Sequence, residues 1–244
     1  MKLYVYCLAE KLGGLPSIHA APVLGISGAQ VDLLKVEDFA LLVSEFDGDS
    51  APSVTRDNAL AHAAVVASVL NETTPLPFRF GTVVAEDQLR SYVTARREAL
   101  KAKLDQVRGC VEMSVKIISG SDQADVPQLN EMDEQGPGAR FLNEKRRQIL
   151  GSERRSEEAK QVAAWLKEQV GTYVQQEEVS LTQTEKLMVA AAHLVAREQV
   201  AKYRDQLTMA RKMRPELHFL VSGPWPPYTF SNIELEFKTR FGVS

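Results

Sequence analysis

The chain has 244 residues, 44% hydrophobic and 25% charged, enough for one elaborated domain or two small ones and able to hold a core without disulfides or metal. A formal net charge of −3 and a pI near 5.9 exclude a general electrostatic attraction to nucleic acid or an anionic membrane. No stretch reaches the roughly 18 uncharged apolar residues of a membrane span, and Glu10 and Lys11 cut the N-terminal apolar run short of a signal peptide; a cytoplasmic protein is expected.

Leu3 to Leu8, rich in aromatic and β-branched residues, predicts a first strand that ends at Gly13-Gly14. Val31 to Val36 and Phe39 to Ser44 follow as a hairpin around Glu37-Asp38. From Thr55 the period changes to that of a helix, with Thr55 or Asp57 as cap, His62, Val65, Val66 and Val69 on one face, and Asn71 and Pro75 as the stop. A second helix runs from Glu86-Asp87 through Leu89, Tyr92, Val93, Leu100, Leu104 and Val107 to Gly109. Val111 to Ile117 then alternates strictly, as a half-covered strand does.

Together these elements predict an α+β unit over residues 1–118, an elaborated ferredoxin-like sandwich. Residues 119–137, rich in Ser, Gly, Asp, Gln and Pro, are read as a linker or mobile loop. A long polar helix, Ala139 to Val170, carries Phe141, Leu142, Ile149, Val162, Trp165 and Leu166 as apolar islands, and Gly151 is a point where it would bend or break. Strands at Tyr173 to Leu181 and Leu187 to Val195, a helix at Arg197 to Met213 and a strand at Leu217 to Ser222 complete a second, smaller α+β unit within residues 138–244.

The chemistry-bearing residues form no catalytic or cofactor-binding pattern. Gly25 to Gln30 lacks the lysine of a phosphate loop, the histidines 19, 62, 193 and 218 lack metal-ligand spacing, and no Gly-x-Ser-x-Gly elbow occurs. Cys7 and Cys110 lie in apolar runs and read as buried thiols. Glu112 and Lys116 share a strand face and read as a solvated pair. Arg79-Phe80-Gly81 is a fragment of an RNA-binding sheet motif without the remainder. No enzyme activity, cofactor, metal, nucleic-acid, membrane or small-molecule partner is therefore expected; an RNA-binding or small-molecule-sensing module is the alternative.

Two segments combine proline with large aromatics: Leu76-Pro77-Phe78-Arg79-Phe80-Gly81-Thr82 and Ser222-Gly223-Pro224-Trp225-Pro226-Pro227-Tyr228-Thr229-Phe230. Proline limits the entropy lost on ordering and the rings supply contact area, so Phe78, Arg79, Phe80, Trp225, Tyr228 and Phe230 are candidates for binding a partner protein. The same residues would also serve as a plug in a core, and composition leaves both roles open.

With Tyr4-Val5-Tyr6, the strand from Glu112 to Ile117 and Gly136-Pro137-Gly138-Ala139-Arg140-Phe141-Leu142, these segments resemble, in order and spacing over nearly the whole chain, the gas vesicle protein F/L family. Cys7 departs from the glycine of many members. The resemblance implies an N-terminal modified ferredoxin-like domain, a long helix and a second small α+β domain, without enzymatic activity. It also implies a minor structural component or assembly factor of gas vesicles that binds the main hydrophobic shell protein and accessory gas vesicle proteins and limits shell-protein aggregation during nucleation.

Overall fold

β1 (Lys2–Glu10) organises the first sheet, and its run from Leu3 to Ala9 is buried throughout, as a strand covered on both faces requires. The structure, a computed structural model, describes residues 1–10, 24–48, 52–120, 137–181, 187–231 and 233, with side chains in the long helix described from residue 152. The expected turn at Gly13-Gly14 and most of the 119–137 segment lie outside the described residues.

The first sheet has the order β2-β3-β1-β4, with β5 also on β1. β2 (Asp32–Val36) and β3 (Phe39–Glu45) pair antiparallel around Glu37, whose φ of 51° suits the tight two-residue connection. β3 pairs antiparallel with β1 on one side. On the other, β4 (Leu76–Pro77) pairs with Cys7 and Leu8, and β5 (Val83–Ala85) pairs with Lys2 to Tyr4. Residues 78–82 therefore bulge out of an otherwise continuous partner of β1.

α1 (Arg56–Leu70) is capped by Thr55, whose side chain accepts from the Asn58 N–H, and buries His62, Val65, Val66, Val69 and Leu70. Its face packs against Tyr4, Tyr6 and Leu42. The helix expected from residue 86 to 107 is two: α2 (Glu86–Ala95) and α3 (Arg97–Val107), which part at Arg96. There the backbone leaves helical ψ while Arg96 stacks over Tyr92 and Arg97 pairs with Asp38.

The second sheet has the order β7-β8-β6-β9, from β6 (Cys110–Ser119), β7 (Val174–Leu181), β8 (Leu187–Ala196) and β9 (Leu217–Trp225). α4 (Pro137–Val170) runs through Gly151 without interruption, and Ala159, Val162, Leu166 and Val170 form one stripe. That stripe and Tyr203 and Leu207 of α5 (Val200–Met213) cover Met113, Val115 and Ile117 of β6, Val189, Ala191 and Val195 of β8, and Leu217 and Phe219 of β9. Trp165 packs edge-on against Phe219 under the Arg214 guanidinium. The side chains of Phe141, Leu142 and Ile149 lie outside the described residues.

The chain divides into two compact units, Met1–Glu112 with Pro224–Ser244, and Met113–Gly223. The division differs in two places from 1–118 and 138–244. β6 pairs in the second sheet, because the apolar row Met113, Val115, Ile117 finds its cover under α4, so the strand expected to close a ferredoxin-like sheet does not belong to the first one. The chain from Pro224 onward belongs to the first unit, through the contacts described next. The mixed helix-and-sheet class stands.

Candidate functional site

Tyr4 and Tyr6, two residues apart on β1, project to the same side as α1 and meet at 4.8 Å between ring centroids. Each phenol ends in a closed hydrogen-bond chain. The Ile26 N–H donates to Tyr6 Oη, and Tyr6 donates to Ser44 Oγ, because the Ser44 hydroxyl is itself spent on the Gln30 carbonyl. That chain fastens the Gly25–Gly28 turn: the segment that superficially resembled a phosphate loop is a packing element.

The Gly81 N–H donates to Tyr4 Oη, which also shares a hydrogen bond with Nδ1 of His62, 2.9 Å away. The other ring nitrogen, Nε2, is a buried atom with no hydrogen-bond partner of acceptable geometry among the described residues. Burial holds the His62 pKa down to about 4, which the Phe78 backbone opposes without cancelling. Around the ring stand Tyr6 at 5.6 Å, Phe80 at 5.8 Å and Tyr228 at 6.4 Å between centroids. Burial raises the Tyr4 pKa to about 12 and also pushes Tyr228 up. Near neutral pH the imidazole is therefore uncharged and the Tyr4 phenol keeps its proton.

The two proline-aromatic segments, remote in sequence, thus converge on His62. The joint is fixed by further bonds. Ser231 Oγ donates to the Pro77 carbonyl, and Lys103 Nζ donates to the Ser231 carbonyl at 3.0 Å. The Thr229 N–H and hydroxyl both donate to Glu112, at 2.8 Å each. Pro226, Pro227, Ser231 and Ile233 are buried. Glu112 is therefore no solvated partner of Lys116: it is 8% exposed and holds the start of α6 (Tyr228–Ser231), while Lys116 is exposed.

The six candidate residues separate by exposure. Phe78, 1% exposed with its N–H on the Tyr6 carbonyl, is a core residue and offers nothing to a partner, which corrects its reading as a contact. Phe80 and Phe230 are half-buried, and Phe80 also packs on Tyr4. Arg79 is exposed, as are Trp225 at 49% and Tyr228 at 39%. Sequence reasoning missed His62, Glu112, Thr229 and Ser231 as the residues that build this site; only His62, a polar residue on an otherwise apolar helix face, carried a signal. Among the described residues no group of His, Cys, Asp and Glu is arranged to hold a metal ion. Cys7 and Cys110 are buried thiols outside any disulfide, in strands of different sheets.

Solved gas vesicle proteins share this mixed helix-and-sheet fold. The crystal structure of GvpF from Anabaena matches with a TM-score of 0.78 at 18% identity, over 96% of this chain and 99% of that one. GvpF from Microcystis aeruginosa matches with a TM-score of 0.73 at 19% identity, over 95% and 99%. In sequence, gas vesicle protein L2 of Halobacterium salinarum is 26% identical over 93% of this chain and 90% of its own, and gas vesicle protein F1 of the same organism is 25% identical over 90% of each. Residues 2–232 match the profile of the gas vesicle synthesis proteins GvpL/GvpF. The chain belongs to that family, and its role lies in gas vesicle assembly. Among the described residues no helix is long and apolar enough to cross a membrane.

Proposed function

We propose that this protein is a cytoplasmic assembly factor or minor component of gas vesicles that binds the main hydrophobic shell protein, and with it accessory gas vesicle proteins, and limits shell-protein aggregation during nucleation. Arg79, Phe80, Trp225, Tyr228 and Phe230 form the contact surface; no catalytic group or cofactor takes part. The observation that carries this reading is the exposure of Trp225 and Tyr228 on a segment held rigid by Pro226, Pro227 and the Glu112–Thr229 bonds. Large rings partly exposed on a fixed backbone are ready to bind, because little entropy remains to be lost on association. A shell subunit with an apolar surface is aggregation-prone until incorporated, and transient cover by such rings keeps it soluble.

Affinity purification of the intact chain from cells forming gas vesicles, read by mass spectrometry, tests the reading. The shell protein is expected in the eluate and depleted by Trp225→Ala with Tyr228→Ala. Its absence from the unmutated eluate would contradict the proposal.

A further inference from the structure

Of the sheet edges among the described residues, three carry protective features: β2 has Lys35, β9 contains Pro224, and β4 is two residues long and includes Pro77. β7 has none. It runs for eight residues without proline or lysine, pairs with β8 along its length, and ends the sheet order. Its register irregularity is confined to Val174/Gln176. Beyond that point Glu178, Val179, Ser180 and Leu181 are all exposed. Backbone N–H and C=O groups on the outer side of such a strand form a template for another strand.

We propose that the outer edge of β7 over residues 177–181 accepts an added strand from a partner protein, apolar on one face and basic on the other. Val179 and Leu181, each 38% exposed, lie opposite Ala191 and Val189 on the helix-covered side of the sheet, and call for apolar neighbours. Glu178 lies opposite Ala192 on the other side. Glu177 is neutralised by Lys167, whereas Glu178 makes no ion pair among the described residues, so a lysine or arginine opposite it completes the pairing. A second copy of β7 supplies no such cation, since its eight residues include two glutamates and no lysine or arginine.

The probe is a fluorescein-labelled octapeptide of alternating lysine and valine, titrated against the full chain with an alternating glutamate–valine peptide as control. The lysine peptide is expected to bind and to slow amide exchange at residues 177–181, with the control weaker by at least about tenfold. Glu178→Lys, on an exposed side chain, is expected to leave the Tm unchanged and weaken the lysine peptide by at least about tenfold. Equal binding of both peptides, protection mapped elsewhere, indifference to Glu178→Lys, or a collapse of the fold in that variant would each overturn the proposal. So would a dimer in sedimentation with its interface at these amides.

Discussion

The carboxylate of Glu112 accepts both the backbone N–H and the hydroxyl of Thr229 across 117 residues of chain, at 2.8 Å each. A carboxylate removed from water is stabilised only by such charge-assisted donors, and these come from the short C-terminal helix α6. This bond therefore fixes the segment that displays Trp225 and Tyr228.

Removing one partner should cost about 1.5–3 kcal/mol, the range for hydrogen bonds to charged groups. Urea unfolding of Glu112→Ala, Thr229→Val and the double variant should give a coupling energy above about 0.5 kcal/mol. Additive losses would show that the two side chains do not meet in solution.

His62 and His193 are buried, 3% and 1% exposed, and burial lowers both pKa values to about 4 from 6.5. The unfolded chain therefore binds more protons between those values, so stability is complete above about pH 6.5 and is lost as the pH falls toward 4. The loss is on the order of 3 kcal/mol per histidine. In His62→Phe, proton uptake on unfolding near pH 5 should fall by about one, read from the slope of unfolding free energy against pH. An unchanged slope would mean that His62 is open to water in the folded state.

Gly25 touches Tyr6 so closely that a Cβ there would stand 1.9 Å from its hydroxyl oxygen and 3.0 Å from Ser44 Oγ. The Gly25 φ of −83° suits any residue, so space alone forbids a side chain. Gly25→Ala should destabilise by more than about 2 kcal/mol, the scale of a displaced core ring and its lost bonds. A melting temperature within a degree or so of the parent would show that Tyr6 is not held as described.

Phe78→Ala should cost about 3–5 kcal/mol, because the ring is enclosed. Phe80→Ala, at a half-buried ring, should cost less, and Trp225→Ala should leave the melting temperature nearly unchanged. Thermal melts of the three variants rank them directly; a reversed order would exchange the core and surface assignments.

Local pattern carried the elements well. Four of the five buried residues of α1 and the β2–β3 hairpin were legible, and Thr55 is the cap of the two offered; in β6 the alternation holds from Met113 to Ile117, with Glu112 buried against it. What local pattern does not encode is which partner a strand or loop finds. The row Met113, Val115, Ile117 requires one covered face without specifying the sheet, and Glu112 on the opposite face gave no sign that Thr229 would arrive to desolvate it. Phe78 and Phe80, two residues apart, would share a side of an extended chain, whereas the bulge between β4 and β5 encloses Phe78 and leaves Phe80 half-open. The break at Arg96 had no sequence signal, because α2 and α3 keep continuous apolar spacing across it.

The proposed binding role is tested most directly by light scattering of the purified shell protein during dilution from denaturant, with this protein at equimolar or higher ratio. The unmutated chain is expected to suppress the rise in scattering. The Trp225→Ala variant, folded and with a melting temperature near the parent's, is expected to lose that protection. Scattering that rises equally fast with and without the unmutated protein would contradict the account.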